Sequence, residues 1–172
     1  MKSPTGLFPA LLSLSLTAFA VAQTAPPPPL PSESRQFDFW IGDWEVTTPE
    51  GKPDGSNRIE SIANGAGLLE NWTGYPQPGG GSGKSLNTYN AAKKQWQQFW
   101  VGSGGGVLEL AGALVNGNMV LQGEHEMHGQ PLLERITWTP KADGSVRQLW
   151  EQSTDGGKTW QIAFDGTYRR KK

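Results

Sequence analysis

Three short runs of this chain put tryptophan and a polar side chain on the same face of a strand. Trp96, Gln98 and Trp100 alternate with their neighbours. So do Glu134, Ile136 and Trp138, and so do Val146, Gln148, Trp150 and Gln152. Residues two apart on a strand share a face. A dry core excludes Gln and Glu unless each finds a partner, whereas a cavity that holds an amphipathic molecule uses both kinds of group. Trp96, Gln98, Trp100, Glu134, Trp138, Gln148 and Trp150 are therefore the candidate ligand-binding residues. The opposite parity would place Phe99, Val101 and Leu149 inside and these tryptophans on the outer wall.

Other reactive groups are sparse. The two histidines, His125 and His128, flank Glu126 in His-Glu-Met-His. Residues three apart on a strand face opposite sides, so the spacing disfavours a metal pair. His128 precedes Gly129 and suits a turn position with positive φ. A single histidine in a barrel could ligate haem, but the spacing selects neither. Glu124 and Glu126 share a strand face, where acid–base work competes with simple exposure at a hairpin end. There is no Cys, no Gly-x-Ser-x-Gly elbow, and no Lys-Ser/Thr after Gly104-Gly105-Gly106. The residues thus assign no catalytic group, no metal site and no cofactor.

The elements that must position these faces are short strands. Asn116-Gly117, His128-Gly129, Asp143-Gly144 and Asp155-Gly156 separate apolar runs, and X-Gly pairs suit hairpin turns. Strands are expected at 119–126, 132–139, 145–153 and 159–169, with 96–101 and 107–114 before them. Earlier strands are expected at 43–48, 57–63, 68–73 and 85–90. The segment 75–84, rich in Pro and Gly, reads as a loop at one rim. About ten sequential antiparallel strands leave two open edges unless the sheet closes. The expected fold is all-β: an antiparallel up-and-down β-barrel.

Composition supports one such domain. Eight Trp, six Phe and three Tyr supply apolar area, while 23 Gly and 13 Pro favour turns over long helices. The net charge of −1 gives no reason to propose nucleic acid or an acidic membrane as a partner. Residues 1–22 read as a cleavable signal peptide: Lys2, an apolar stretch, then Ala20-Val21-Ala22. The stretch is short for stable insertion in a bilayer, and no Cys follows to carry a lipid. Residues 23–33, with four consecutive prolines, read as an extended, disordered linker. The barrel domain is expected over 34–172, in a periplasm or outside the cell.

Phe37-Asp38-Phe39-Trp40-Ile41-Gly42-Asp43-Trp44 resembles the entry to a lipocalin-type (calycin) barrel. It is similar to the signature of a family of uncharacterised, often secreted bacterial proteins. The resemblance implies a short 3₁₀ turn closing one end of a lipocalin-like barrel. It implies that Trp44 plugs the floor beside Phe37 or Phe39. It also implies that an Arg of the last strand, Arg169 or Arg170, lies over the Trp44 ring. The family carries no established reaction, so no catalytic residue transfers. Ser153-Thr154-Asp155-Gly156-Gly157-Lys158-Thr159-Trp160 resembles a single Asp-box. There Asp155 staples the turn amides and Trp160 is buried beneath.

The expected function is an exported β-barrel that binds a small, partly apolar or aromatic molecule. An enzyme using the same cavity, a hydrolase or isomerase, is the alternative. An envelope interaction protein with a packed interior is the third.

Overall fold

The structure is a computed structural model that describes residues 29–76 and 81–172. The signal-like segment and most of the proline-rich linker lie outside the described residues. Ten antiparallel strands follow in order: β1 Gly42–Thr47, β2 Pro53–Ile62, β3 Gly67–Gly74, β4 Ser82–Asn90, β5 Gln95–Gly102, β6 Val107–Val115, β7 Asn118–Met127, β8 Gln130–Pro140, β9 Val146–Ser153 and β10 Gln161–Arg170. Each pairs with its sequence neighbours, and β1 pairs with β10, so the sheet is a closed barrel. Closure leaves no unpaired edge. Its ladder runs from Trp44 opposite Arg170 to Thr47 opposite Thr167.

The turns follow their residues. Asn116 and Gly117 have φ of 50° and 81°, and His128 and Gly129 have 52° and 76°. Both pairs have the double positive φ of a tight two-residue hairpin. At Asp143-Gly144 and Asp155-Gly156 only the glycine is positive, because those loops are longer.

Two strands begin earlier than expected. Strand β2 starts at Pro53, a residue tolerated at a strand start, and β4 starts at Ser82 rather than Ser85. The connection before β4 is correspondingly shorter, and Gly74 N–H donates to Gly81 O across its base.

The barrel has a sealed end and an open end. Short 3₁₀ turns at Ser32–Arg35 and Asp38–Trp40 precede β1. Phe37 stacks on Trp40 at 4.9 Å and meets Trp96 and Trp138 edge-on at 5.6 and 5.1 Å. These four aromatic side chains are at most 1% exposed. Trp44 completes the floor. Its indole N–H donates to Trp40 O at 2.8 Å, and its ring meets Tyr168 at 6.3 Å. Tyr168, and not Phe37 or Phe39, is thus the ring neighbour of Trp44. The Arg170 guanidinium lies 4.5 Å from the Trp44 ring centre, and Arg169 faces the other side of the ladder, opposite Glu45. Gly42 makes room for this stack, since its φ is 148° and a side chain there would overlap the Arg170 head.

At the open end the β9–β10 loop is stapled by Asp155. Its carboxylate accepts from Lys158 N–H and Thr159 N–H, both at 2.9 Å, and from Thr159 Oγ1 at 2.6 Å. The Thr159 hydroxyl leads these bonds in holding the Asp155 carboxyl down to a pKa of about 2. Trp160 departs from expectation. It is half-buried on the outer wall, with Arg135 4.0 Å over its ring and its N–H donated to Gly157 O. Asp155→Ala should lower the thermal midpoint by roughly 3–5 °C. This stabilisation is present above the unfolded carboxyl pKa and is lost as pH falls through about 2. Thermal unfolding at pH 7 and pH 2 checks it: an equal midpoint for variant and parent at pH 7 would exclude the staple.

Candidate functional site

Above the floor the barrel is open. A cavity of about 810 Å³ is walled by Trp72, Trp100, Leu108, Ile136, Trp150 and Phe164 and floored by Glu70, Gln98, Gln148 and Tyr168. It lies at the end of the barrel opposite the 3₁₀ turns. The β1–β2, β3–β4 and β5–β6 loops rim it through Pro49, Gly81 and Ser103, among others.

Glycines keep the wall rings flat. The Trp100 ring occupies the space a side chain on Gly83 would take, and the Trp72 ring does the same at Gly55. The rings therefore line the barrel instead of filling it, which a pattern of uninterrupted large residues would not permit.

The floor is a continuous polar chain. Asn57 Nδ2 and Ser85 Oγ donate to the two oxygens of Glu70 at 2.7 and 2.6 Å. Asn87 Nδ2 donates to Ser85 Oγ at 2.8 Å, and Gln98 Nε2 donates to Asn87 Oδ1 at 2.8 Å. On the far side Tyr168 O–H and Trp138 Nε1–H both donate to Gln148 Oε1, at 2.6 and 3.0 Å. The indole only donates, which fixes the orientation of the Gln148 amide. Its NH₂ group is left for the cavity. Asn87 also donates to the Leu68 carbonyl, so by the same reasoning Gln98 presents its carbonyl oxygen.

Glu70 is 4% exposed. Burial pushes its carboxyl pKa up to about 7 against the lowering effect of Ser85 and Asn57. Burial likewise pushes the Tyr168 phenol well above its usual value, and Glu70 adds to the effect. Asn57 Oδ1 is buried without a partner.

The expected inward parity holds for all seven candidate residues, but they do not share one place. Gln98, Trp100, Gln148 and Trp150 line the cavity. Trp96 and Trp138 are sunk in the floor, held by Gln36 and Gln148 respectively. Glu134 is buried deeper in the wall, where Trp150 Nε1 and Gln152 Nε2 donate to it. Burial raises its carboxyl pKa. Phe99 and Val101 face outward, 46% and 44% exposed.

His125 faces Glu134 at 3.6 Å, and His128 sits in the hairpin turn. Among the described residues no group of three or more His, Cys, Asp or Glu side chains is gathered to hold a metal ion. No helix among them is long and apolar enough to cross a membrane.

Sequence reasoning missed Glu70, Trp72, Phe164 and Tyr168. The same alternation was available in Leu68-Glu70-Trp72 and in Phe164-Gly166-Tyr168. No protein-family model matches the chain, and no curated protein matches it in sequence. The site stands on its geometry: a carboxyl poised near neutrality, two unspent amide groups and a wall of ring faces.

Proposed function

We propose that this protein is a binding module that takes a small, partly apolar or aromatic molecule into the barrel. The observation that carries this reading is the cavity itself. Its volume of about 810 Å³ is in the range of small-molecule sites, and it combines apolar walls with a few convergent polar groups, as such sites do. A packed interior would have filled this space. The lipocalin-like entry motif supports the same reading, and the signal-like N-terminus supports a periplasmic or secreted location.

Native mass spectrometry of the purified protein against a metabolite mixture tests it: a retained small molecule is expected. Trp100→Ala should weaken binding of that molecule roughly tenfold or more, through loss of one ring face. Its unfolding midpoint should change much less than that of a floor variant. Unchanged affinity in both Trp100→Ala and Trp150→Ala would overturn the placement.

One observation favours an enzyme instead. Glu70, with a pKa of about 7, is suited to general acid–base work at neutral pH. Consumption of a metabolite in the same screen, abolished by Glu70→Gln, would establish that reading.

A further inference from the structure

The charge of the cavity has one sign. Every charged side chain among the described residues that line it is an acid: Glu50, Asp54, Glu70 and Asp165. None is Lys or Arg. The four are not equivalent. Asp165 is neutralised at the rim by Arg147, which donates to it at 2.8 and 2.6 Å. Glu50 is an exposed mouth residue hydrogen-bonded by Thr48, where solvent and salt weaken its field. Asp54 is close enough to Tyr168 to raise its phenol pKa. Glu70 is the deep one.

The groups that face Glu70 come from every strand around it: Asn57 from β2, Ser85 from β4, Gln98 from β5, Gln148 from β9 and Tyr168 from β10. All are neutral, so Glu70 is a buried carboxyl with no counter-ion. Each of its oxygens accepts one bond from a floor residue, and a carboxylate accepts about four in all. The Gln98 carbonyl adds a second acceptor beside it. Gln148 offers one neutral donor, which does not offset a carboxylate.

Above these acceptors stand the rings of Trp72, Trp100 and Trp150, partly buried and open to the cavity. Ring faces carry negative quadrupole density and attract cations, most strongly where water is excluded. An anion would meet the field of the acids and the ring faces together. A neutral molecule would leave Glu70 uncompensated.

We propose that the cavity selects an organic cation, an amine or alkylated ammonium head on an apolar or aromatic body. The head sits at the floor between Glu70, Gln98 and the tryptophan faces, and the body points to the mouth. Glu70 is the counter-ion. The proposal rests on the binding reading above and names the chemistry of its ligand.

Only ionised Glu70 serves this role, so cation affinity rises with pH through about 7. Between pH 8 and pH 6 the ionised fraction falls from about nine-tenths to about one-tenth.

Three probes of similar size test the idea: phenyltrimethylammonium, its neutral isostere tert-butylbenzene, and benzoate. Binding to the full chain is read by tryptophan fluorescence at pH 6 and pH 8. The cation should bind roughly tenfold or more tighter than tert-butylbenzene at pH 8, with benzoate weakest. That advantage should shrink about tenfold at pH 6 and in Glu70→Gln, with the cation losing affinity and tert-butylbenzene losing none. If Glu70→Gln does not fold, as judged by circular dichroism, the pH series on the parent protein decides. A neutral probe that binds as tightly as the cation, or a cation advantage that survives at pH 6, overturns the charge selectivity and leaves the binding module standing. If no probe binds at either pH, both readings fall.

Discussion

Trp44→Ala should destabilise the protein by roughly 3–5 kcal/mol, the range for emptying a buried aromatic site. The cost has three physical parts. The indole is fully buried, so the substitution opens a void at the floor. The Trp40 carbonyl loses its 2.8 Å donor. The Arg170 head loses the ring beneath it at the place where β1 and β10 close the barrel. Domains of this kind have only about 5–15 kcal/mol to lose, so a large share is at stake. Urea unfolding checks the figure, with a lower midpoint and a similar slope expected. Trp44→Phe should cost less, because it keeps most of the volume and loses the hydrogen bond. A loss below about 1 kcal/mol for Trp44→Ala would mean that the floor does not depend on this residue.

The second large effect is set by Glu70. Its carboxyl pKa is raised by burial from 4.5 to about 7. A carboxyl raised in the folded state favours the fold while both states are protonated. As pH climbs from 4.5 to 7 the unfolded chain releases a proton that the folded chain retains, so stability falls. Above about 7 the loss is complete, near 3 kcal/mol for a shift of this size. Between pH 5 and pH 8.5 the parent protein should lose about 2–3 kcal/mol relative to Glu70→Gln. The comparison cancels groups such as Asp155, whose contribution is lost only in acid. The glutamine has a partner at hand, because Asn57 Oδ1 is an unpartnered acceptor beside it. Parallel pH–stability curves for the two proteins would show that Glu70 does not titrate in this range. A bound cation would lift the penalty, so the instability at neutral pH and the proposed ligand have the same origin.

Much of the fold was legible because turn chemistry and strand alternation agree. Asn116-Gly117 and His128-Gly129 mark two hairpins whose central residues have the expected φ. The starts of β2 and β4 were hidden by the same residues that make turns visible. Pro53, Gly55 and Gly83 read as breakers, yet Gly55 and Gly83 lie within strands and give way to the rings of Trp72 and Trp100. A breaker and a space-maker look identical in one sequence. Register decided between Arg169 and Arg170, since only Arg170 stands opposite Trp44.

The site was half legible. Parity turned Gln98, Trp100, Gln148 and Trp150 inward, but parity has no depth along the barrel. Trp96 and Trp138 share faces with them and still belong to the floor, because the turn around Phe37 reaches in and covers them. Glu70 stayed hidden for another reason. Its raised pKa comes from burial by the other strands, against the hydrogen bonds of Ser85 and Asn57 that lower it, and none of this shows in the alternation of β3 alone.

The glycines beneath the rings have a consequence for adaptation. The bore of this barrel is fixed by side chains that are missing, at Gly55 and Gly83, rather than by the rings that form its surface. A single methyl group at Gly83 would press only on the Trp100 ring, lift it off the wall and narrow the passage on that side alone, with the strand register and the sealed floor left as they are. At Gly55 it would press on the Thr73 carbonyl of β3 as well as on the Trp72 ring, so that side yields only together with its backbone. Such a scaffold can be recalibrated for a slimmer guest one wall at a time, without redesign of the groups that grip the guest's head.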